Sequence, residues 1–194
     1  QDTIVKPFAY LIPQAYKEVV DRLIMNHVHL EQLAEDTVLH VETYRIKSFT
    51  TSSGAYEGHF PHSHTKLEVI DQKLAFRAGD YLVYTDQQAA RYIIECLEPQ
   101  ASDSFFNWNF FDGILSQKEY FSDYVFEDLA ENFLNDHPQI AAEFEEKKKS
   151  DEKFRQDPDA MLDWVYRKSP WYEPTHKVYP VRRLMQMTEL PVKR

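Results

Sequence analysis

Glycine is scarce, with four in 194 residues. Gly54 and Gly58 stand too far apart for a G-x-G-x-x-G phosphate loop, and no G-K-[ST] follows either of them. Cysteine is scarcer still. Cys96 stands alone, which excludes an intrachain disulfide and a zinc site built on several thiolates. Positive charge is also short, with 22 Lys and Arg against 32 Asp and Glu and a net charge of −10. Nucleic-acid affinity rests on cations neutralising phosphates, so a nucleic-acid partner is not expected. An anionic membrane surface is disfavoured for the same reason. The longest apolar run is Phe8-Ala9-Tyr10-Leu11-Ile12, far below the ~20 residues of a membrane span. The chain opens on Gln1 rather than Met, with no basic stretch leading into an apolar one. No signal peptide is therefore expected within it, and it reads as a piece or product of something longer.

Catalytic patterns are missing too. None of the eight histidines is followed by Glu, either directly or three residues later, so the H-x-x-E and H-E-x-x-H zinc motifs are absent. No G-x-S-x-G elbow occurs. Cys96 falls on the apolar side of a helical pattern, where a thiol packs rather than reacts.

What is present is enough to fold. Hydrophobic residues make up 43 % of the chain, and its length suits one domain or two small ones. The apolar run at 8–12 is a short strand stopped by Pro13. A helix follows, with Ala15, Val19, Leu23 and His27 on one face and Val20 and Ile24 beside them, ending near Asn26-His27. A strand spans 38–49, and a shift of its apolar phase after Val41 predicts a bulge near Glu42-Thr43. Two more strands cover 65–76 and 81–85, joined at Arg77-Ala78-Gly79-Asp80. A helix at 87–97 ends before Pro99. Beyond it the periodicity is helical over 115–135, with Tyr120, Tyr124, Leu129 and Phe133 near one face and Phe121, Val125 and Phe126 widening it. A charged helix over 139–155 and a short one from Asp157-Pro158 to Arg167 follow. Pro170, Pro174, Pro180 and Pro191 then make the last stretch an extended strap.

The fold class expected is α+β, a small and mainly antiparallel sheet with flanking helices, followed by a helical C-terminal half. The change near Pro99 divides the chain into 1–99, with strands and two helices, and 100–194, helical with the Pro- and aromatic-rich strap. With no Gly/Ser linker between them, these are expected to form one compact unit.

Two clusters are candidate sites. His59, His62 and His64 lie close enough in sequence to converge on a metal, with His27, His29 or Glu57 completing the set, but their spacing fits no standard zinc motif. Hydrogen-bonding histidines in a loop and strand start are favoured. Phe105, Phe106, Trp108, Phe110 and Phe111 put five aromatic rings in seven residues. They are either a packing surface, to the sheet or another domain, or a platform for a sugar ring or a peptide, and packing is favoured.

The order of motifs resembles the region after the catalytic domain of bacterial carboxypeptidase A-like zinc peptidases. The matching stretches run through nearly the whole chain: Ala9-Tyr10-Leu11-Ile12-Pro13, Tyr56-Glu57-Gly58-His59, Gly79-Asp80-Tyr81-Leu82-Val83 with Gln87, and Leu97-Glu98-Pro99. Asp103-Ser104-Phe105-Phe106, Trp108-Asn109-Phe110-Phe111-Asp112 and Glu119-Tyr120-Phe121 follow, then Tyr166-Arg167-Lys168-Ser169-Pro170 and Tyr179-Pro180-Val181. The Trp-Asn-Phe-Phe-Asp stretch is the most specific. The resemblance implies a parent that trims peptides from their C-terminal end with a zinc-activated water. Its zinc ligands and general base belong to the catalytic domain, and none maps onto this chain. It follows that this chain carries no catalytic residue and no cofactor, that zinc sits in the catalytic domain of the parent, and that this domain is the partner. A periplasmic or secreted location is implied as well. The alternative is a self-contained peptide- or carbohydrate-binding module, or a metal site on His59, His62 and His64.

Overall fold

The computed structural model describes residues 4–193. Its elements group into two units. One runs to Ser116 and resumes at Lys177, and the other is Gln117–His176. Residues 100–116 and the C-terminal stretch from Lys177 thus group with the strands.

The first unit is built on a six-stranded antiparallel sheet, and the α+β class holds. Its strands are β1 (Ala9–Ile12), β2 (Glu31–Gln32), β3 (Thr37–Thr51), β4 (His62–Phe76), β5 (Tyr81–Tyr84) and β6 (Arg182–Leu184), in the order β2-β5-β1-β6-β3-β4. Helices α1 (Lys17–Met25) and α2 (Ala90–Leu97) belong to the same unit. The proline-rich tail is extended, but three of its residues form a strand inside the sheet. β6 pairs with both β1 and β3, and Arg183 stands opposite Tyr10 on one side and Glu42 on the other.

All four residues of β1 are buried, because the sheet is covered on both faces. Tyr10 and Ile12 join Tyr44, Ile46, Val83 and the buried residues of α1 and α2 in one core. Ala9 and Leu11 join Leu39, Val41, Leu82, Leu184, Leu33 and Phe76 in another. This double coverage explains the apolar phase shift in β3 and corrects the bulge expected near Glu42-Thr43. The ladder is regular there, with Glu42 opposite Asp71 and Thr43 opposite Ile70. Odd residues up to Thr43 face one core and Tyr44 and Ile46 the other, so no extra residue is needed. The irregularities fall between Ile46 and Ser48 and between Ser48 and Thr50.

Helix α1 buries Val19, Val20 and Leu23, whereas Ile24 is exposed. It ends in a Schellman motif. His27 takes a positive φ of 60° and donates to the Ile24 carbonyl, while Val28 N–H reaches the Leu23 carbonyl. Side chains of Val28 and Leu23 share the core, which supplies the apolar contact typical of that cap.

A buried charge centre fastens four elements of this unit. Glu98, just past α2, is 1 % exposed and Arg183 of β6 is 5 % exposed. Tyr10 of β1 donates to Glu98 Oε1 at 2.6 Å. Arg183 Nε lies 3.0 Å from the same oxygen, an ionic contact whose N–H direction falls short of a hydrogen bond. Arg183 also donates to Glu42 Oε2 of β3 at 2.5 Å and to the Val5 carbonyl, and its guanidinium sits 5.2 Å from the Tyr44 ring centre. Nearby, the buried Tyr179 hydroxyl donates to the Leu97 carbonyl at 2.9 Å.

The second unit holds four helices, α3 (Asp123–Asp136), α4 (Pro138–Ser150), α5 (Glu152–Arg155) and α6 (Pro158–Lys168). Its core is Phe126, Ala130 and Phe133 of α3 against Val165 and Tyr166 of α6. Of the residues expected on the apolar side of a helix over 115–135, Phe126 and Phe133 are buried, whereas Tyr120, Tyr124, Val125 and Leu129 are exposed. A helical start at Leu115 is also corrected. Leu115 packs against the core of the first unit, and α3 begins only after Ser122, whose backbone is extended. The helix expected over 139–155 is broken at Asp151. Its carboxylate accepts the Phe154 N–H at 3.1 Å, which starts a new helix rather than continuing the old one. Asp157 caps α6 in the same way through Ala160, with Pro158 at the first helical position. Among the described residues, no helix is long and apolar enough to cross a membrane.

The charge centre sets an alkaline limit. Burial and then the Glu98 carboxylate hold the hydroxyls of Tyr10, Tyr44 and Tyr179 well above the ordinary tyrosine value. In the unfolded chain these groups ionise near ~10. Above that pH the unfolded state binds fewer protons than the folded one. Stability is therefore intact below pH ~10 and falls as pH rises through it. In an alkaline titration followed by phenolate absorbance, part of the tyrosine signal should appear only together with the loss of secondary structure. Ionisation of all twelve tyrosines with secondary structure intact would contradict this.

Candidate functional site

The five aromatic candidates sit in a tight turn after α2, and two asparagines shape it. Asn107 donates through its side chain to the carbonyls of Ala101 and Ser102, at 2.7 and 3.2 Å. The buried Ser104 hydroxyl accepts the Asn107 N–H at 3.1 Å. Asn109 adopts a positive φ of 67°, which asparagine tolerates better than most residues. Its amide clamps Phe60 from both sides, accepting the backbone N–H and donating to the carbonyl, each at 3.0 Å.

This turn divides the rings. Phe106 and Phe111 point inward and meet the Tyr179 ring edge-on, with centroids 6.3 and 4.9 Å away. Phe105 is buried beneath the turn, with its ring edge-on to Phe110 at 5.2 Å. Trp108 and Phe110 remain half-buried. The cluster is both core and surface, with the division falling inside a single turn.

The three histidines take separate roles. His62 is buried at the start of β4. Its Nδ1 is 3.0 Å from Thr51 Oγ1, its Nε2 is 2.9 Å from Asp112 Oδ1, and the Asn109 amide lies 3.2 Å from Nε2. Both ring nitrogens are thus engaged by the protein. His64 is exposed, with Nδ1 3.1 Å from Ser63 Oγ. His59 packs against Trp108 edge-on at 5.6 Å and stacks near Phe110 at 6.1 Å. Among the described residues, no three His, Cys, Asp or Glu side chains come together as a metal ion would require.

His59 is placed by a tight hairpin. Tyr56 and His59 exchange backbone hydrogen bonds at 2.8 and 2.9 Å, and between them Glu57 and Gly58 have φ of 49° and 82°. Positive φ at both central positions is what a two-residue hairpin turn favours. The hairpin brings the Tyr56 ring to 6.1 Å from that of Trp108.

Together these pieces bound a cleft of about 870 Å³, within the roughly 300–1,000 Å³ common for ligand sites. Phe105, Trp108, Phe110 and His59 supply its aromatic lining. Helix α2 supplies Arg91, Tyr92, Glu95 and Cys96, and α1 supplies Arg22, whose guanidinium sits 4.4 Å from the Phe110 ring centre. Burial raises the Cys96 thiol above its ordinary value, against a reactive role. Burial, then Cys96, pushes the Tyr92 hydroxyl up to about 12. The sequence singled out the rings and His59 but not the helix residues. The i, i+4 pairs Arg91/Glu95 and Tyr92/Cys96 place them on one helix face, yet only the fold sets that face beside Trp108.

Comparison with protein-family models finds no match. Among curated proteins, carboxypeptidase 2 of Trichophyton tonsurans is 33 % identical over 100 residues, which is 52 % of this chain and 18 % of that protein. Carboxypeptidase 2 of Trichophyton rubrum is 32 % identical over 100 residues, with the same shares. Probable carboxypeptidase 2 of Arthroderma benhamiae is 31 % identical over 98 residues. The matched part spans 18 % of the length of these relatives. They are fungal, whereas the motif resemblance pointed to bacterial proteins. No solved structure matches. Half of this chain is therefore similar to a small part of proteins named as carboxypeptidases.

The hairpin gives a direct test of how the cleft wall is held. A Cβ on Gly58 would meet nothing within 4 Å, so its cost is purely conformational. Gly58→Ala should destabilise the chain by about 1–2 kcal/mol in urea unfolding, and Gly58→Asn by less. An unchanged midpoint for the alanine variant would contradict the positive φ at this turn.

Proposed function

We propose that this chain is a non-catalytic accessory region of a carboxypeptidase-like protein. It packs beside a separate catalytic domain, whose zinc performs the hydrolysis, and helps bound the approach of substrate. The observation that carries this reading is the likeness to carboxypeptidases over a minor share of their length. Two further facts support it. The sequence has no H-x-x-E pair or nucleophile motif. The described residues do not fit a zinc site, since His62 is bonded through both nitrogens and no acidic or thiol group joins the other histidines in a triad. No chemical step is therefore assigned to this chain. The motif resemblance also supports an exported parent, periplasmic or secreted.

The test uses the longer parent with and without this region. The isolated chain, supplied with zinc, should release no C-terminal amino acid from a peptide. Deleting the region should lower the parent's thermal midpoint or its activity, and adding the chain back in trans should restore part of the loss. Release of amino acids by the isolated chain would overturn the reading. So would a parent that keeps full activity and stability after the deletion.

A further inference from the structure

The cleft beside Trp108 has an unequal charge lining. Its two cations already have carboxylate partners on their own helices. Arg22 lies 3.2 Å from Glu18 and is also laid over the Phe110 ring. Arg91 lies 3.9 Å from Glu95. An anionic ligand would have to compete with those carboxylates. The remaining lining carboxylates, Glu57 of the hairpin and Asp103 of the turn, are exposed and form no ion pair among the described residues. Trp108, half-buried on the asparagine-pinned turn, lines the same cleft as these acids.

We propose that this cleft binds a peptide through a cationic side chain, arginine or lysine. The aliphatic stem lies on the Trp108 ring, and the charged end is shared between Glu57 and Asp103. A cation over an indole face gains attraction that grows as water is excluded. The long alkyl stem of these residues buries apolar surface while the charged end stays with the carboxylates. The chain's net charge of −10 draws cations toward it at long range. A neutral sugar would use the same ring but would gain no charge attraction from the two carboxylates. The inference concerns this chain's own cleft and stands independently of whether the chain serves a peptidase.

The test is calorimetric titration of the whole chain with three probes. Acetyl-arginine amide is the cation, acetyl-citrulline amide its uncharged analogue, and methyl glucoside the sugar. The arginine probe should bind, the citrulline probe at least about tenfold more weakly, and the glucoside not at all. Added salt should weaken arginine binding. The double variant E57Q/D103N should cut arginine affinity about tenfold, and since both side chains are exposed its thermal midpoint should match that of the parent chain. Trp108→Leu, checked for the same midpoint, should lose most of the binding. Equal affinity for arginine and citrulline overturns the proposal. So does an unchanged affinity in the double variant, binding of the glucoside instead, or no heat with the arginine probe.

Discussion

The carboxylate of Glu98 is buried inside the sheet unit, and much of that unit is arranged around it. A charge there is costly unless it is paired and hydrogen-bonded. Tyr10 and Arg183 supply both, and Arg183 brings Glu42 with it. The consequence is topological. To place a guanidinium beside Glu98, the chain must return after more than eighty residues and insert β6 between β1 and β3. Residues on β1, β3, β6 and the end of α2 are thereby committed to one geometry. A hydrophobic core of the same size would tolerate small slips, whereas this centre specifies a register.

Several of the recognisable motifs have structural duties in this unit. Tyr10 and Glu98 belong to the charge centre, and Tyr179 fastens the end of α2. Asn107, Asn109 and Asp112 build the turn and hold His62. Gly58 makes the hairpin. Each is a polar or special-backbone residue whose substitution leaves a buried group unpaired or a turn strained. These residues build a scaffold, and one opening in it is the cleft walled by Trp108, Phe110 and His59.

Local features of the fold were legible in the sequence. The antiparallel strands, the end of α1 near His27 and the Asp157-Pro158 helix start follow from periodicity and breaker residues. Non-local features were not. Nothing in Arg182-Arg183-Leu184 marks a central strand, because its partners lie far away in sequence. The apolar phase shift in β3 has two local explanations, a bulge or a sheet covered on both faces, and only the tertiary structure chooses. The charge run at 145–153 hides a break because an aspartate in it serves as a cap. For the site, the rings were visible as a group but their division was not. Inward Phe106 and Phe111 differ from outward Trp108 and Phe110 only through the turn that Asn107 and Asn109 impose.

The measurement that tests this account most directly is a double-mutant cycle on Glu98 and Arg183, read by urea unfolding. Arg183→Met alone strands a buried carboxylate and should cost about 3–5 kcal/mol. Glu98→Gln alone should also destabilise, by leaving Arg183 short of a counter-charge. The pair together should cost less than the sum of the two by more than ~1 kcal/mol, the signature of coupled residues. Additivity within about 0.5 kcal/mol would show that the two charges act independently. It would contradict the claim that their pairing sets the register of the sheet.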